Sequence, residues 1–372
     1  MTVLNVIVFL FSIPLCLAAS SVTSDTSGVT PVVPVQPTIP PSPPTASPEA
    51  NVTRIFKYPG GGFENLAVRS NGQILATLAF PEPLLFYVDP LSIRPAVLLH
   101  NFTSLRNTGG ITELAPDRFY GHGPGLNNGP YSVYSVDMRQ ILVLPNGTIF
   151  TPPVIKEIGT IPSALLLNGM THLCSSDNFV LISDTLLGGV WKFYVDTGKS
   201  ELVIQDPSMS GPPNQTAFAA FGINGLRVQN NTLFYCNSGA QKFYKMPLHV
   251  DGSSASNATL ITSGIACDDF ALDKWGFAYV ASPRNALIRL DTRTGAQLVV
   301  AGTFADSSSD IISASSARFG KGDSDRTSIY ITTNGGAFAG APPGSQGISR
   351  VDVGDVAQLF GRDGQYLRGG KA

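Results

Sequence analysis

Five segments of the chain repeat one short pattern, and a sixth repeats it loosely. Each opens on an acid, an asparagine or a turn residue and runs through two stretches of alternating apolar and polar residues. Each then closes on a hydrophobic residue, an aspartate and a turn. The clearest copies are 64–89, 168–198, 224–252 and 268–295; 110–137 is more ragged and 311–352 weaker. Repeats of ~40–55 residues, each long enough for about four strands, are the mark of a β-propeller. The pattern therefore predicts an all-β, six-bladed β-propeller with four-stranded antiparallel blades. In such a disc the first residue of every innermost strand faces one central pit, so residues far apart in sequence are expected to meet there.

Composition supports this reading. Beyond the N-terminal segment about 320 residues remain, enough for six blades. The 38 glycines and 28 prolines supply many tight turns, and no long stretch carries the 3.6-residue apolar period of a helix. Only 13% of residues are charged and the net charge is −2. With no basic patch interleaved with aromatics, overall charge gives no reason to expect nucleic acid or an anionic membrane as partner.

The N-terminus reads as a leader and a tether. Residues 3–19 are almost wholly apolar and run into Ala18-Ala19-Ser20-Ser21. That suits a cleaved signal peptide over 1–20, the alternative being an uncleaved anchor; after cleavage no stable membrane span is expected. Residues 21–50 hold eight prolines among many Ser and Thr and read as an extended linker, leaving 51–372 for the propeller. Six sequons follow, at Asn51, Asn101, Asn146, Asn214, Asn230 and Asn257. Together they point to glycosylation on a secretory route, secreted or lumenal. In the blade register a Cys236–Cys267 disulfide can join adjacent blades, leaving Cys174 as a buried thiol; the alternative is no disulfide. The run 54–58 is placed to lend the outer strand of the last blade and close the ring.

Aligning the inner-strand starts brings Glu64, Asn168, Asn224 and Asp268 into register. Two carboxylates and two carboxamides form an all-oxygen set that suits Ca²⁺ or another divalent cation, and disfavours soft metals. The plainer reading makes Asn168-Gly169 and Asn224-Gly225 ordinary turns. Phe63, Met170, Phe221 and Phe270 neighbour the four polar positions, with Phe80, Tyr120 and Trp191 placed toward the rim. They read as an apolar pocket for hydrophobic small molecules, or as ordinary core. Of the four histidines, His122 is the candidate for catalysis, ending a second strand near the mouth between glycines. His172 reads as structural, and His100 and His249 as outer-strand or loop residues. No nucleotide or redox cofactor motif appears: Gly60-Gly61-Gly62 precedes a strand rather than a helix. The stretch 335–347 reads as a long loop in the last blade.

On the Asn224-Gly225-Leu226 and Asp268-Asp269-Phe270…Asp273-Lys274-Trp275-Gly276 blade openings, the chain resembles the senescence marker protein (regucalcin)/gluconolactonase-like propellers over about 54–352. That resemblance implies one catalytic divalent cation held by Glu64, Asn168, Asn224 and Asp268, with Asp268 acting as base or nucleophile in a lactonase. Asn65-Leu66-Ala67 after Glu64, Asp269 in place of glycine, and Tyr120-Gly121-His122-Gly123 depart from the hydrolase pattern. The leader, linker, sequons and Asn65-Leu66-Ala67-Val68 opening instead resemble a secreted fungal subgroup tied to secondary metabolism. The subgroup includes hetero-Diels–Alderases that join a tropolone-derived o-quinone methide to a humulene-type sesquiterpene. In that setting Asn168, Asn224, His122 or a bound cation is the candidate donor to the quinone-methide carbonyl, whereas in a lactonase Asp268 and His122 are the candidates for attack on the carbonyl and for protonating the leaving oxygen. The alternatives are a Ca²⁺-dependent lactonase or esterase and a non-catalytic ligand- or protein-binding propeller.

Overall fold

A computed structural model describes residues 50–354 except Ser92, Ser175, 306–309 and 337–345. The expected leader (1–20), nearly all of the expected linker (21–50) and most of the 335–347 stretch thus lie outside the described residues. The first strand, β1 (Asn51–Lys57), stands apart from those that follow it. Blade 1 is β2 (Gly62–Val68), β3 (Ile74–Phe80), β4 (Leu84–Val88) and β5 (Val97–Asn101). Blade 2 is β6 (Ile111–Ala115), β7 (Arg118–Pro124) and β8 (Tyr131–Asp137). Its fourth strand, β11 (Val154–Ile161), follows an inserted hairpin of β9 (Leu142–Val143) and β10 (Ile149–Thr151). Blade 3 is β12 (Leu167–Thr171), β13 (Phe179–Asp184), β14 (Gly189–Tyr194) and β15 (Ser200–Gln205). Blade 4 is β16 (Ile223–Gln229), β17 (Thr232–Asn237), β18 (Lys242–Pro247) and β19 (Thr259–Ser263). Blade 5 is β20 (Phe270–Leu272), β21 (Phe277–Ser282), β22 (Ala286–Asp291) and β23 (Gln297–Gly302). Blade 6 is β24 (Ala314–Phe319), β25 (Ser328–Thr333) and β26 (Gly347–Asp352), completed on the outside by β1.

The chain is thus an all-β, six-bladed β-propeller. Its innermost strands touch in the order β2, β6, β12, β16, β20, β24 and back to β2. The N-terminal strand closes the ring as its position implied: β1 pairs antiparallel with β26, Asn51 opposite Asp352 and Lys57 opposite Gly347. The hydrophobic–Asp–turn signature has a structural meaning. Asp137, Asp291 and Asp352 end third strands, and Asp89 follows one directly. Asp291 accepts from the backbone N–H of Arg293 two residues on, and Asp89 from that of Leu91. These Asx-type bonds fix the turn to the fourth strand.

The hydrophobic core lies in layers between neighbouring blades rather than at the axis. One layer packs Phe63, Phe86 and Ile348 between blades 1 and 6. Another packs Tyr120, Met170, Trp191 and Phe193 between blades 2 and 3, and a third Cys236, Phe243 and Phe270 between blades 4 and 5. Sheets that bury both faces against their neighbours leave the axis free for polar groups. This corrects the expected pocket. Phe63, Met170 and Phe270 are fully buried in these layers, and Tyr120 and Trp191 are largely buried in the layer that holds Met170. The Trp191 indole N–H donates to Asp184 at 3.1 Å rather than reaching the rim.

The cysteines differ from expectation too. Cys236 and Cys267 are both buried, in one inter-blade layer, but both are free thiols, and Cys174 is exposed. Cys236 lies inside a second strand and Cys267 in the connection before β20. The register therefore brings them close without bonding them. All six sequon asparagines are exposed.

Candidate functional site

The two Asn-Gly pairs sit inside strands rather than in turns, and the glycines serve close approach. A Cβ on Gly225 would lie 2.5 Å from Asp269 Cα, and one on Gly169 would lie 2.7 Å from the Asn224 carbonyl oxygen. Neighbouring inner strands approach there until the Gly225 N–H donates to the Asp268 carbonyl and the Gly110 N–H to that of Asn168, at 2.9 and 3.0 Å. These ties set the residue before each glycine on the wall of the axis. Glu64, Asn168, Asn224 and Asp268 accordingly line one cavity of about 810 Å³. Blade 2 contributes no side chain at this level because its register position is Gly110.

The cavity wall above the four polar groups is mostly apolar. Ala79, Phe80, Leu167, Phe218, Phe221 and Pro283 line it, together with Tyr131. Of the expected aromatics, Phe221 and Phe80 are therefore present, while Phe63, Met170 and Phe270 stand behind the wall. Sequence reasoning missed Phe218 and Tyr131. Phe218 sits in a 3-10 turn (Ala217–Ala220) of the long connection between β15 and β16, outside the repeat pattern.

His122 lies behind the wall. It is fully buried in β7 and is not among the residues lining the cavity; a Cβ on Gly109, which is, would meet its ring at 2.4 Å. Its Nε2 lies 2.7 Å from the Asn168 carbonyl oxygen, and burial lowers its pKa to about 4, with that hydrogen bond and Asp184 opposing weakly. Its ring props the Asn168 backbone. This corrects its placement near the mouth. His100 lies in outer strand β5 and His249 in a loop, as expected, and His172 just past β12.

The carboxyl groups at the floor are held away from their ordinary range. Burial raises the Glu64 pKa to about 7, helped by the charge of Asp269. Burial also pushes Asp268 well up, reinforced by Glu64 and Asp269 and opposed by a hydrogen bond from Asn224. Low dielectric and like charge both disfavour the ionised form. Asn224 donates from Nδ2 to the Ser238 hydroxyl at 2.9 Å, while its Oδ1 is buried without a partner.

Beneath the floor lies a polar hub centred on Asp269, which is 1% exposed. One of its oxygens, Oδ2, accepts from Asn65 Nδ2 and the Ser316 hydroxyl, both at 3.0 Å, and from Arg318 at 3.2 Å. The Arg227 guanidinium completes the set at 2.5 Å. Two cations neutralise one buried acid, which plugs the axis below the pit. The doubled Asp268-Asp269 was the only sequence sign of it.

No family model matches the chain. A protein named putative hetero-Diels-Alderase asR5, from Sarocladium schorii, is 23% identical over 330 residues, 80% of this chain and 81% of that protein. A second, named putative hetero-Diels-Alderase, from a Phoma species, is 24% identical over 313 residues, covering 75% and 86%. The chain is thus similar, over most of its length, to two proteins named putative hetero-Diels-Alderases. In fold it matches the solved structure of regucalcin, a calcium-binding protein from Agrobacterium tumefaciens, with a TM-score of 0.56. That match is 13% identical and covers 82% of this chain and 95% of that one.

Proposed function

We propose that the chain is a pericyclase of fungal meroterpenoid biosynthesis, a hetero-Diels–Alderase joining a tropolone o-quinone methide to a humulene-type sesquiterpene. The observation that carries the reading is the pit itself. An apolar chamber of about 810 Å³ closes on carboxyl groups that resist ionisation. In the cycloaddition the alkene pair and the O=C–C=CH₂ system form one C–O and one C–C bond, and no proton moves. The enzyme therefore needs no nucleophile. Holding the partners together can offset several kcal/mol (about 7–11 in the best cases). A neutral Glu64 or Asp268 carboxyl donating to the quinone-methide oxygen stabilises the charge that builds there. Asn224 and Asn168 flank the same position.

The same floor fits a divalent cation. The unpartnered Asn224 Oδ1 and the two mutually repelling carboxyls are oxygen donors of the kind Ca²⁺ takes. Glu64, Asn168, Asn224 and Asp268 would hold it, and it would supply Lewis-acid polarisation of a carbonyl. That observation favours the second reading, a Ca²⁺-dependent lactonase or esterase. A third, a ligand-binding propeller without catalysis, is favoured by nothing specific. The apolar leader and exposed sequons support a secretory route.

The test is an incubation with a humulene-type alkene and a tropolone quinone methide released in solution. The expected result is one stereoisomer, formed above the uncatalysed rate. Asp268→Ala should cost about 10- to 100-fold, the range below a full oxyanion-hole deletion. Asp268→Asn, which keeps a donor, should retain most activity. Only racemic adduct at background rate would sink the reading. Hydrolysis of aryl esters abolished by chelator and by Asp268→Asn would install the lactonase in its place.

A further inference from the structure

Two of the residues lining the cavity are arginines, Arg106 and Arg284. Arg106 lies in the connection from β5 to β6, and Arg284 in that from β21 to β22. Blades 1–2 and blade 5 are well separated around the ring, so the two cations come from different sides of the mouth. Both are exposed. Arg106 donates to Asn128 Oδ1 at 3.2 Å, and the Arg284 guanidinium lies 5.0 Å from the centre of the Phe304 ring. That ring steadies its plane without using its hydrogen-bond donors. Arginines in this protein ordinarily find an acid: nine of them pair with a carboxylate among the described residues. Among the described residues, the two at the mouth pair with none.

The charges of the cavity are therefore divided along the axis. Glu64 and Asp268 stand at the floor with Asp269 behind them, and the two unpaired guanidiniums stand at the rim. Among the described residues the floor offers an anion no free cation, because Arg227 and Arg318 are already engaged by Asp269. At the rim an anion would meet planar donors that match a delocalised pair of oxygens. Apolar walls between the two levels reduce screening by water.

We propose that Arg106 and Arg284 form an anion-recognition site, and that one substrate carries an acidic, delocalised oxygen group. An ionised tropolone, a phenolate flanked by a carbonyl, or a carboxylate has that chemistry. The site orients this partner with its anionic edge outward and its apolar remainder against Phe221 and Leu167. This inference rests on the proposed function for which partner it applies to. Recognition of the anion itself is testable without any reaction.

The experiment is calorimetric titration of the whole protein at pH 8.5 with tropolone, which is ionised there, and with its neutral O-methyl ether. Tropolone is expected to bind about tenfold or more tightly than the ether, as charge-assisted hydrogen bonds imply. Arg106→Gln and Arg284→Gln should each weaken tropolone about fivefold or more and leave the ether unchanged. Arg118→Gln, an arginine away from the cavity, should change neither. Equal affinity for the two ligands, or binding of neither, overturns the proposal. So does a loss that the glutamine variants show equally for both ligands, since that marks packing rather than charge. If adduct forms without the preference for tropolone, this inference falls and the pericyclase stands. If the preference holds without adduct, the pericyclase falls and the anion site stands.

Discussion

His122 gives a prediction whose size follows from its surroundings. Its imidazole is fully buried, and burial lowers its pKa from the ordinary 6.5 to about 4. The unfolded chain therefore takes up the proton first as pH falls. Stability is fully present above about 6.5, declines between 6.5 and 4, and levels below that. At about 1.36 kcal/mol per pH unit, the loss is roughly 2.5 kcal/mol at pH 4.5 and about 3 at the limit. Glu64 works the other way: its pKa is raised to about 7, so its ionisation weakens the fold as pH rises from about 4.5 to 7. The effect of His122 is isolated by difference. His122→Gln keeps an amide nitrogen near Nε2, where the ring meets the Asn168 carbonyl, but cannot be protonated. Urea melts of both proteins at pH 7.0, 5.5 and 4.5 should show the gap between them shift by about 2.5 kcal/mol toward the variant at pH 4.5. Curves that stay parallel across that range would refute the buried, neutral imidazole.

Three further outcomes follow from the hub, the inner strands and the closing strand. Asp269→Ala leaves Arg227 and Arg318 without their shared acid and should cost about 3–5 kcal/mol in urea unfolding. Asp268→Ala, which only enlarges the cavity, should cost much less, and equal losses would contradict the hub. Gly225→Ala should destabilise by about 1–3 kcal/mol, because its methyl would press on Asp269 Cα; a neutral result in the same assay would show that the strands can part. Deleting residues 1–57 removes β1 and exposes the edge of β26, so soluble yield and melting temperature should fall sharply. Deletion of 1–49 should leave melting unchanged, and a similar drop in both would show that β1 does not close the ring.

Much of the candidate site was legible because strand period and blade repeat convert sequence position into geometry. The register of Glu64, Asn168, Asn224 and Asp268 needed only the recognition that each opens an innermost strand. The misplaced residues have two causes. Phe63 is the immediate neighbour of Glu64, and in a strand a neighbour faces the opposite side, here the layer between blades. Met170 and Phe270 stand two positions from Asn168 and Asp268, and there the alternation is broken by the register shift between Leu167 and Met170 and by β20 beginning only at Phe270. His122 was rightly put in a second strand, but its ring is buried behind the cavity wall rather than at the mouth. Cys236 and Cys267 were placed close, but closeness within a layer does not give the geometry that a disulfide needs. Phe218, Arg106 and Arg284 come from connections between blades, where no periodic pattern operates.

The sequence alone determined the number of blades, the strand that fastens the ring and the four polar groups that meet at its centre, because alternation and repeat length are local properties. The tertiary structure decided which aromatics line the cavity, that Asp269 is buried between two arginines, and that two other arginines stand unpaired at the mouth. Those facts depend on how six sheets pack face to face. No local pattern records which side chain from one blade arrives beside which from another.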